Sequence, residues 1–251
     1  MTGVDAPTSR TPPTLLAVAH GTREADGVAT TEALVARVRA LRPDLPVERC
    51  FLDLVSPSLP EALARLRGEV VLVPLLLGAG YHVRVDIPAA LAEAPHLRAR
   101  VARALGPDPL LAQILTDRLD EAGWDAPGAP RRPSALVLAA AGSTDPAANA
   151  DTVAMAGLLG DRLSAPPALP APSALPVVPA YLCAAGPTPE EAVAELQAAG
   201  HERVAVASYL LGPGFFARRA ARAGAWVTSA PLGAHDALAR LVTLRYDEAL
   251  T

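Results

Sequence analysis

The sequence is poor in cysteine, with only Cys50 and Cys183 among its 251 residues. Two thiols cannot build the disulfide framework that holds small secreted domains together, so a reducing compartment is expected. An excess of basic residues is also lacking, because 22 basic and 26 acidic side chains leave a net charge of −4. This balance gives no support for nucleic acid or an anionic membrane surface as a partner.

Long apolar runs are missing as well. No stretch of about 18 consecutive apolar residues occurs, so no segment is predicted to span a membrane. The N-terminal residues MTGVDAPTSRTPP lack the basic start and apolar run of a signal peptide. We therefore expect a cytoplasmic protein whose hydrophobic content of 51% is ample for a buried core. The length allows one large domain or two of about 120 residues.

What the sequence contains is an alternation of short apolar runs and helical patterns. Residues 1–13 are interpreted as a disordered tail, and residues 125–133, which carry three prolines, as a linker. In the first half, strands are predicted at Leu15–Ala19, Val47–Leu54, Val70–Leu77 and Arg100–Leu105, and helices at Ala25–Leu41, Leu59–Leu66, Ile87–Ala94 and Pro109–Ala122.

The second half, residues 134–251, repeats the first half, residues 14–124. The run LLGPGFF at 210–216 matches LLGAGYH at 76–82, and two further strand ends match in the same way. The segment Ser164–Pro179 holds six prolines and is predicted to be an irregular insertion in the second copy. The alternation predicts an α/β fold in which each half has a four-stranded parallel sheet of order 2-1-3-4 with helices on both faces.

Three polar residues lie at or after the ends of neighbouring strands of the first half, namely His20, Asp53 and His82. Since ligands bind outside the carboxyl ends of parallel strands, these side chains are expected at one edge of the sheet. Two imidazoles and a carboxylate suit either a divalent transition metal or proton transfer. Each also has an ordinary explanation, because His and Asp are common turn residues and surface residues. His96, His201 and His235 have no evident partner in the sequence and are assigned to the surface.

In the second copy these three positions are Ala141, Cys183 and Phe216, whereas the apolar and glycine pattern around them persists. A purely structural role would more easily have been kept twice. We therefore expect one site, in the first half, with the second half as its cover. Cys183 is expected to be a buried thiol rather than a nucleophile, and Phe216 a core residue.

The motifs VAHGTRE, FLDL followed by SPS, and VPLLLGAGYHVRVDIP resemble those of the class II chelatases, and most closely the sirohydrochlorin chelatase or CbiX-like group in its double-domain bacterial form. The resemblance covers nearly the whole chain. It implies two tandem flavodoxin-like lobes, 14–124 with the active site and 134–251 as a degenerate copy, facing each other across a cleft. It also implies insertion of Fe²⁺ or Co²⁺ into sirohydrochlorin without ATP, toward siroheme or cobalamin.

The resemblance assigns the two catalytic histidines to His20 and His82, and the metal ligands to these residues together with Asp53. Because Asp is one methylene shorter than the Glu common in the family, Asp53 can instead orient a histidine. Sirohydrochlorin carries carboxylates around its rim, and the candidates to bind the substrate are Gly21, Thr22, Arg23, Ser58, Tyr81 and Arg84.

No cofactor is expected beyond the substrate metal ion, and the two internal lobes favour a monomer. The alternative is a carrier that binds a metal or a tetrapyrrole with the same residues and does not turn over. A carrier gains affinity from soft Cys or Met ligands, and none was identified at this site, so the enzyme is favoured. A hydrolase that uses His20 as a phosphohistidine fits poorly because Ala19, rather than Arg, precedes the histidine.

Overall fold

The computed structural model describes residues 12–124, 134–164 and 175–251. Residues 1–11 of the predicted tail, the predicted linker and most of the proline-rich insertion lie outside these residues. The first lobe consists of β1 Thr14–Ala19, α1 Ala25–Leu41, β2 Val47–Phe51, α2 Leu59–Arg65, β3 Gly68–Pro74, α3 Ile87–Ala92, β4 Leu97–Val101 and α4 Pro109–Glu121. A short π-helix, His82–Asp86, leads directly into α3.

The second lobe repeats this order of elements. It consists of β5 Ser134–Ala140, α5 Pro146–Ser164, β6 Val177–Tyr181, α6 Pro189–Ala198, β7 Arg203–Tyr209, α7 Phe215–Ala220, β8 Val227–Thr228 and α8 Asp236–Glu248. Val177–Pro179 was predicted to be irregular and instead forms the start of β6, which pairs with β5. Proline is accepted here because β6 is an edge strand.

Each lobe is built on one parallel sheet. The strand orders are β2-β1-β3-β4 and β6-β5-β7-β8, which confirms the predicted order. In the first sheet Val18 lies between Cys50 of β2 and Pro74 of β3. Leu15–Ala19 are at most 2% exposed, as expected for a central strand covered on both faces.

The predicted bounds of α1 agree with the structure, whereas several strand ends do not. The second strand ends at Phe51 instead of Leu54, because the chain turns sharply at Leu54, which has a φ of +67°. The fourth strand is Leu97–Val101 instead of Arg100–Leu105. Its earlier position is set by pairing with β3, and the backbone leaves the sheet after Ala102 donates to the carbonyl of Leu72.

The last helix of each lobe covers the other lobe. Helix α4 packs against α5 and β7, and α8 packs against α1 and β3. The apolar side chains between the two sheets consequently form one continuous core, which includes Leu15, Leu115, Leu138 and Leu241. Among the described residues, none of the helices is both long and apolar enough to cross a membrane.

Candidate functional site

A cavity of about 770 Å³ lies where the two lobes meet. It opens at the carboxyl ends of β1 and β3 in the first lobe and of β5 and β7 in the second lobe, the edge at which parallel α/β sheets bind ligands. Its volume is in the range of small-molecule sites. The second lobe therefore contributes to the wall of the site, as expected from the sequence.

His20 is the residue immediately after β1, and its carbonyl oxygen accepts the N–H of Asp53 at 3.0 Å. The next residue, Gly21, has a φ of +99°, and a Cβ at this position would collide with the carbonyl oxygen of Asp53. Glycine is thus required for the chain to turn here. The turn leaves the imidazole of His20 exposed to the cavity.

His82 begins the π-helix that follows β3, in the segment between the predicted strand Val70–Leu77 and the predicted helix Ile87–Ala94. The two histidine rings are 4.7 Å apart between centroids and meet edge to face at 84°. The expectation that these imidazoles converge at one edge of the sheet is confirmed.

Asp86 is the carboxylate that faces this histidine pair. Its Oδ2 lies 2.6 Å from Nδ1 of His82, four residues earlier in the same helical turn. This contact was not predicted, because the helix was expected to begin at Ile87 rather than at His82. The four-residue spacing between His82 and Asp86 was the signal, since residues i and i+4 of a helix share a face.

The predicted ligand set of His20, Asp53 and His82 is not assembled. Among the described residues, no group of three or more His, Cys, Asp or Glu side chains is placed to hold a metal ion. Oδ1 of Asp53 accepts the N–H of Leu54 at 2.7 Å, and Asp53 does not line the cavity. The carboxylate of Asp53 therefore stabilises the sharp turn at Leu54, which is a common role for aspartate.

The predicted substrate-binding residues separate into two groups. Gly21, Thr22 and Tyr81 line the cavity. The other three, Arg23, Ser58 and Arg84, do not line it. Arg23 is exposed, and Ser58 caps α2 through a capping box with Glu61. Arg84 forms an ion pair with Asp145 of the second lobe at 3.2 Å.

The three positions equivalent to the polar set, Ala141, Cys183 and Phe216, also line the cavity. The expectation that Cys183 is buried was wrong, because its thiol is exposed and donates to the carbonyl of Ala141 at 3.0 Å. The expectation that Phe216 is a core residue was also wrong, since it is only half-buried at the margin of the second lobe's outer core.

Two of the histidines assigned to the surface have partners. Nε2 of His96 lies 3.2 Å from the carbonyl of Leu63, and His235 caps α8 by accepting the N–H of Ala237. His96 immediately precedes β4 and therefore lies at the amino ends of the strands, opposite the cavity.

One charged pair marks the edge of the cavity. The guanidinium of Arg218 binds both carboxylate oxygens of Glu24, which lines the cavity, at 2.5 and 2.7 Å. The hydrogen bonds from Arg218 lower the pKa of the Glu24 carboxyl, and the Glu24 carboxylate raises the pKa of Arg218. The pair is ionised near neutral pH and joins the two lobes.

This arrangement is suited to holding a metal ion briefly. Two imidazoles in an open cavity leave most coordination positions of a divalent ion free, whereas a closed four-ligand cage would retain it. A neutral imidazole can also accept a proton from a bound ligand. The fold and the site thus define a two-lobed α/β protein with a pair of imidazoles in the cavity between its lobes.

Comparisons with known proteins agree with this class. The family model named CbiX matches residues 14–122 and again residues 135–249. The chain belongs to the CbiX family, and each lobe is one copy of the family unit. The expected resemblance to class II chelatases and the expected two-lobed fold are confirmed.

Individual relatives include a sirohydrochlorin ferrochelatase of Priestia megaterium, 26% identical over 91% of this chain and 87% of that protein. A sirohydrochlorin cobaltochelatase of the same organism is 29% identical over 59% of this chain and 50% of its own length. Among solved structures, SirB from Bacillus subtilis with Fe³⁺ has a TM-score of 0.73 and 22% identity over 94% of this chain and 95% of that one. The last comparison concerns the fold alone.

Proposed function

We propose that this protein is a sirohydrochlorin metal chelatase, a lyase that inserts Fe²⁺ or Co²⁺ into sirohydrochlorin without ATP, toward siroheme or cobalamin. The single observation that carries the proposal is the pair of imidazoles, His20 and His82, meeting at 4.7 Å inside the interlobe cavity. Relatives in the same family are named as sirohydrochlorin ferrochelatase and cobaltochelatase, which supports the choice of substrate.

Metal insertion requires two operations at one place. The ion must be held long enough to meet the macrocycle, and the pyrrole N–H protons that it replaces must be removed. His20 and His82 are the proposed ligands for the incoming ion and the proposed acceptors of these protons. The ion is a substrate, so weak binding by few ligands serves the reaction, and release into the macrocycle needs no cage to be broken.

Asp86 is proposed to orient His82. A carboxylate 2.6 Å from Nδ1 receives the N–H of that nitrogen, so Nε2 is the nitrogen available for a metal or a proton. This role replaces the one that the sequence suggested for Asp53. Gly21, Thr22 and Tyr81 are proposed to contact sirohydrochlorin, since each lines the cavity. A location in the cytoplasm and a monomeric state stay predictions for this protein.

The decisive experiment follows the absorbance of sirohydrochlorin with Co²⁺ or Fe²⁺ under anaerobic conditions. We expect His20→Ala and His82→Ala each to lower kcat/KM for insertion by about 100-fold or more, the range for loss of a general base. Circular dichroism is expected to show intact folds, because neither imidazole is in the core.

The matched control is His96→Gln, which removes a histidine of the same lobe from the opposite edge of the sheet. Its insertion rate is expected to stay within about twofold of the original, since the ring of His96 hydrogen-bonds to the backbone of Leu63, away from the cavity. Full activity in either His20→Ala or His82→Ala would refute the proposed site. A protein that binds sirohydrochlorin and metal but shows no accelerated insertion would be the carrier instead.

A further inference from the structure

The edge of the cavity carries a feature that both lobes have kept, although only the first lobe has the histidines. Arg84 of the first lobe pairs with Asp145 of the second at 3.2 Å. Arg218 of the second lobe pairs with Glu24 of the first at 2.5 and 2.7 Å. The two ion pairs thus cross the boundary between the lobes in opposite directions.

The sequence repeat makes these pairs equivalent. Arg84 ends the run LLGAGYHVR at 76–84, and Arg218 ends the matching run LLGPGFFAR at 210–218. Each acid is the third residue after the glycine that follows the first strand of its lobe, Gly21 for Glu24 and Gly142 for Asp145. An approximate internal two-fold axis therefore relates the two pairs.

An exposed aromatic residue precedes each arginine by three positions. Tyr81 is 63% exposed and Phe215 is 66% exposed, and both line the cavity. Large aromatic side chains usually bury most of their surface. Exposure of both equivalent residues at the same cavity indicates that a flat, partly apolar ligand covers them.

We propose that Phe215 and Arg218 of the second lobe bind sirohydrochlorin together with Tyr81 and Arg84, so that both lobes grip the macrocycle. The aromatic rings contact its faces, and each arginine exchanges its protein carboxylate, Glu24 or Asp145, for a carboxylate of the substrate. This inference rests on the proposed function, because it names the residues that recognise its substrate.

The exchange is favoured by the position of the ion pairs. Both arginine side chains are about half exposed, at 51% for Arg84 and 58% for Arg218. Ion pairs this close to water contribute little to stability, so releasing them costs little. A substrate carboxylate offers the same bidentate geometry that Arg218 already makes with Glu24. The free protein therefore keeps its arginines ordered without leaving them unpaired.

The test separates binding of sirohydrochlorin from chemistry. Arg218→Gln and Phe215→Ala are each expected to raise KM for sirohydrochlorin about tenfold, the loss of one charge-assisted or stacking contact, with kcat within about twofold. Binding of Co²⁺ alone, measured by titration, is expected to be unchanged, because neither Arg218 nor Phe215 is a proposed ligand of the metal ion. Phe215→Tyr, which places the residue type of the equivalent Tyr81 at this position, is expected to keep the KM of the unmodified protein.

Two further variants guard against a merely structural explanation. Arg37 forms a cross-lobe ion pair with Asp236, with side chains 50% and 65% exposed, and does not line the cavity. Arg37→Gln is the matched control and is expected to leave KM unchanged. Glu24→Gln frees Arg218 from its competitor and is expected to lower KM about threefold, a modest electrostatic gain.

The inference is overturned if Arg218→Gln and Phe215→Ala leave KM unchanged, or if Glu24→Gln raises KM as much as Arg218→Gln does. The second result would mean that the ion pair between Arg218 and Glu24 stabilises the contact between the lobes and does not compete with the substrate. Failure of the proposed function is a separate outcome, since the unmodified protein would then show no accelerated insertion at all.

Discussion

The two lobes have nearly the same backbone and different chemistry. In each lobe the second strand is followed by a non-glycine residue with a positive φ, +67° at Leu54 and +60° at Ala184. The hydrogen bond from Asp53 to His20 at 3.0 Å recurs as the bond from Cys183 to Ala141 at 2.8 Å. The duplicate thus preserved the geometry of a site whose imidazoles it lacks.

The comparison shows which features each lobe needs. The turn glycine, the capping box and the ion pair that Arg84 or Arg218 makes to the other lobe occur in both lobes, because both sheets must end at the shared cavity. The histidine pair occurs only in the first lobe, since the equivalent positions of the second lobe are Ala141 and Phe216. The following variants compare equivalent positions and are ordered from the largest expected effect to the smallest.

The largest difference is expected for two equivalent arginines on α8 and α4, the helices that cover the opposite lobe. Arg245 of α8 is 1% exposed and donates to Leu105 O at 2.7 Å and to Asp108 at 2.8 Å. Its equivalent on α4, Arg118, is 20% exposed and donates to Leu232 O at 3.0 Å.

Arg245→Met is expected to lower the free energy of unfolding by about 3–5 kcal/mol, because it leaves the carboxylate of Asp108 without its buried partner. Arg118→Met is expected to cost about 1 kcal/mol, since the carbonyl oxygen of Leu232 loses its arginine donor at a position that is partly exposed to solvent. Urea denaturation measures both. Equal losses would show that burial does not distinguish the two anchors.

An intermediate effect is expected for the turn glycines. Gly21 and Gly142 have φ angles of +99° and +91°, and a Cβ on either would collide with the carbonyl oxygen of residue 53 or 183. Gly21→Ala and Gly142→Ala are each expected to cost about 2 kcal/mol of stability.

Their effects on metal insertion are expected to differ. Gly21→Ala displaces the neighbouring His20 and should reduce the insertion rate well beyond any reduction in Gly142→Ala. Thermal unfolding and the insertion assay on the same samples check this. A larger activity loss in Gly142→Ala would contradict the placement of the chemistry in the first lobe.

The smallest effect is expected at the helix caps. Ser58 and Thr188 each accept an N–H from the Glu three residues later in a complete capping box. Ser58→Ala and Thr188→Ala are each expected to cost about 1 kcal/mol. If Ser58→Ala also raised KM for sirohydrochlorin and Thr188→Ala did not, the substrate role predicted for Ser58 from the sequence would be restored.

Part of the site followed from local sequence patterns. The alternation of strands and helices implied parallel sheets, and the order 2-1-3-4 implied that the residues after β1 and β3 meet, so the convergence of His20 and His82 could be predicted. The contact between His82 and Asp86 could not be predicted, because no helix was expected before Ile87 and a helical turn is what brings Asp86 beside His82. Asp53 was predicted to be a metal ligand because it lies at the end of a strand. Its carboxylate instead accepts the N–H of Leu54, because the backbone turns there.

The sequence by itself determined the order of elements, the duplication, the topology of both sheets and the pair of histidines. These depend on hydrophobic periodicity and on turn residues, which act over a few neighbouring positions. Only the tertiary structure decided that α4 and α8 each cover the opposite lobe, that Asp86 faces His82, and that Arg84 and Arg218 cross the cleft. An apolar face shows that a helix must be covered, but the surface that covers it depends on distant parts of the chain.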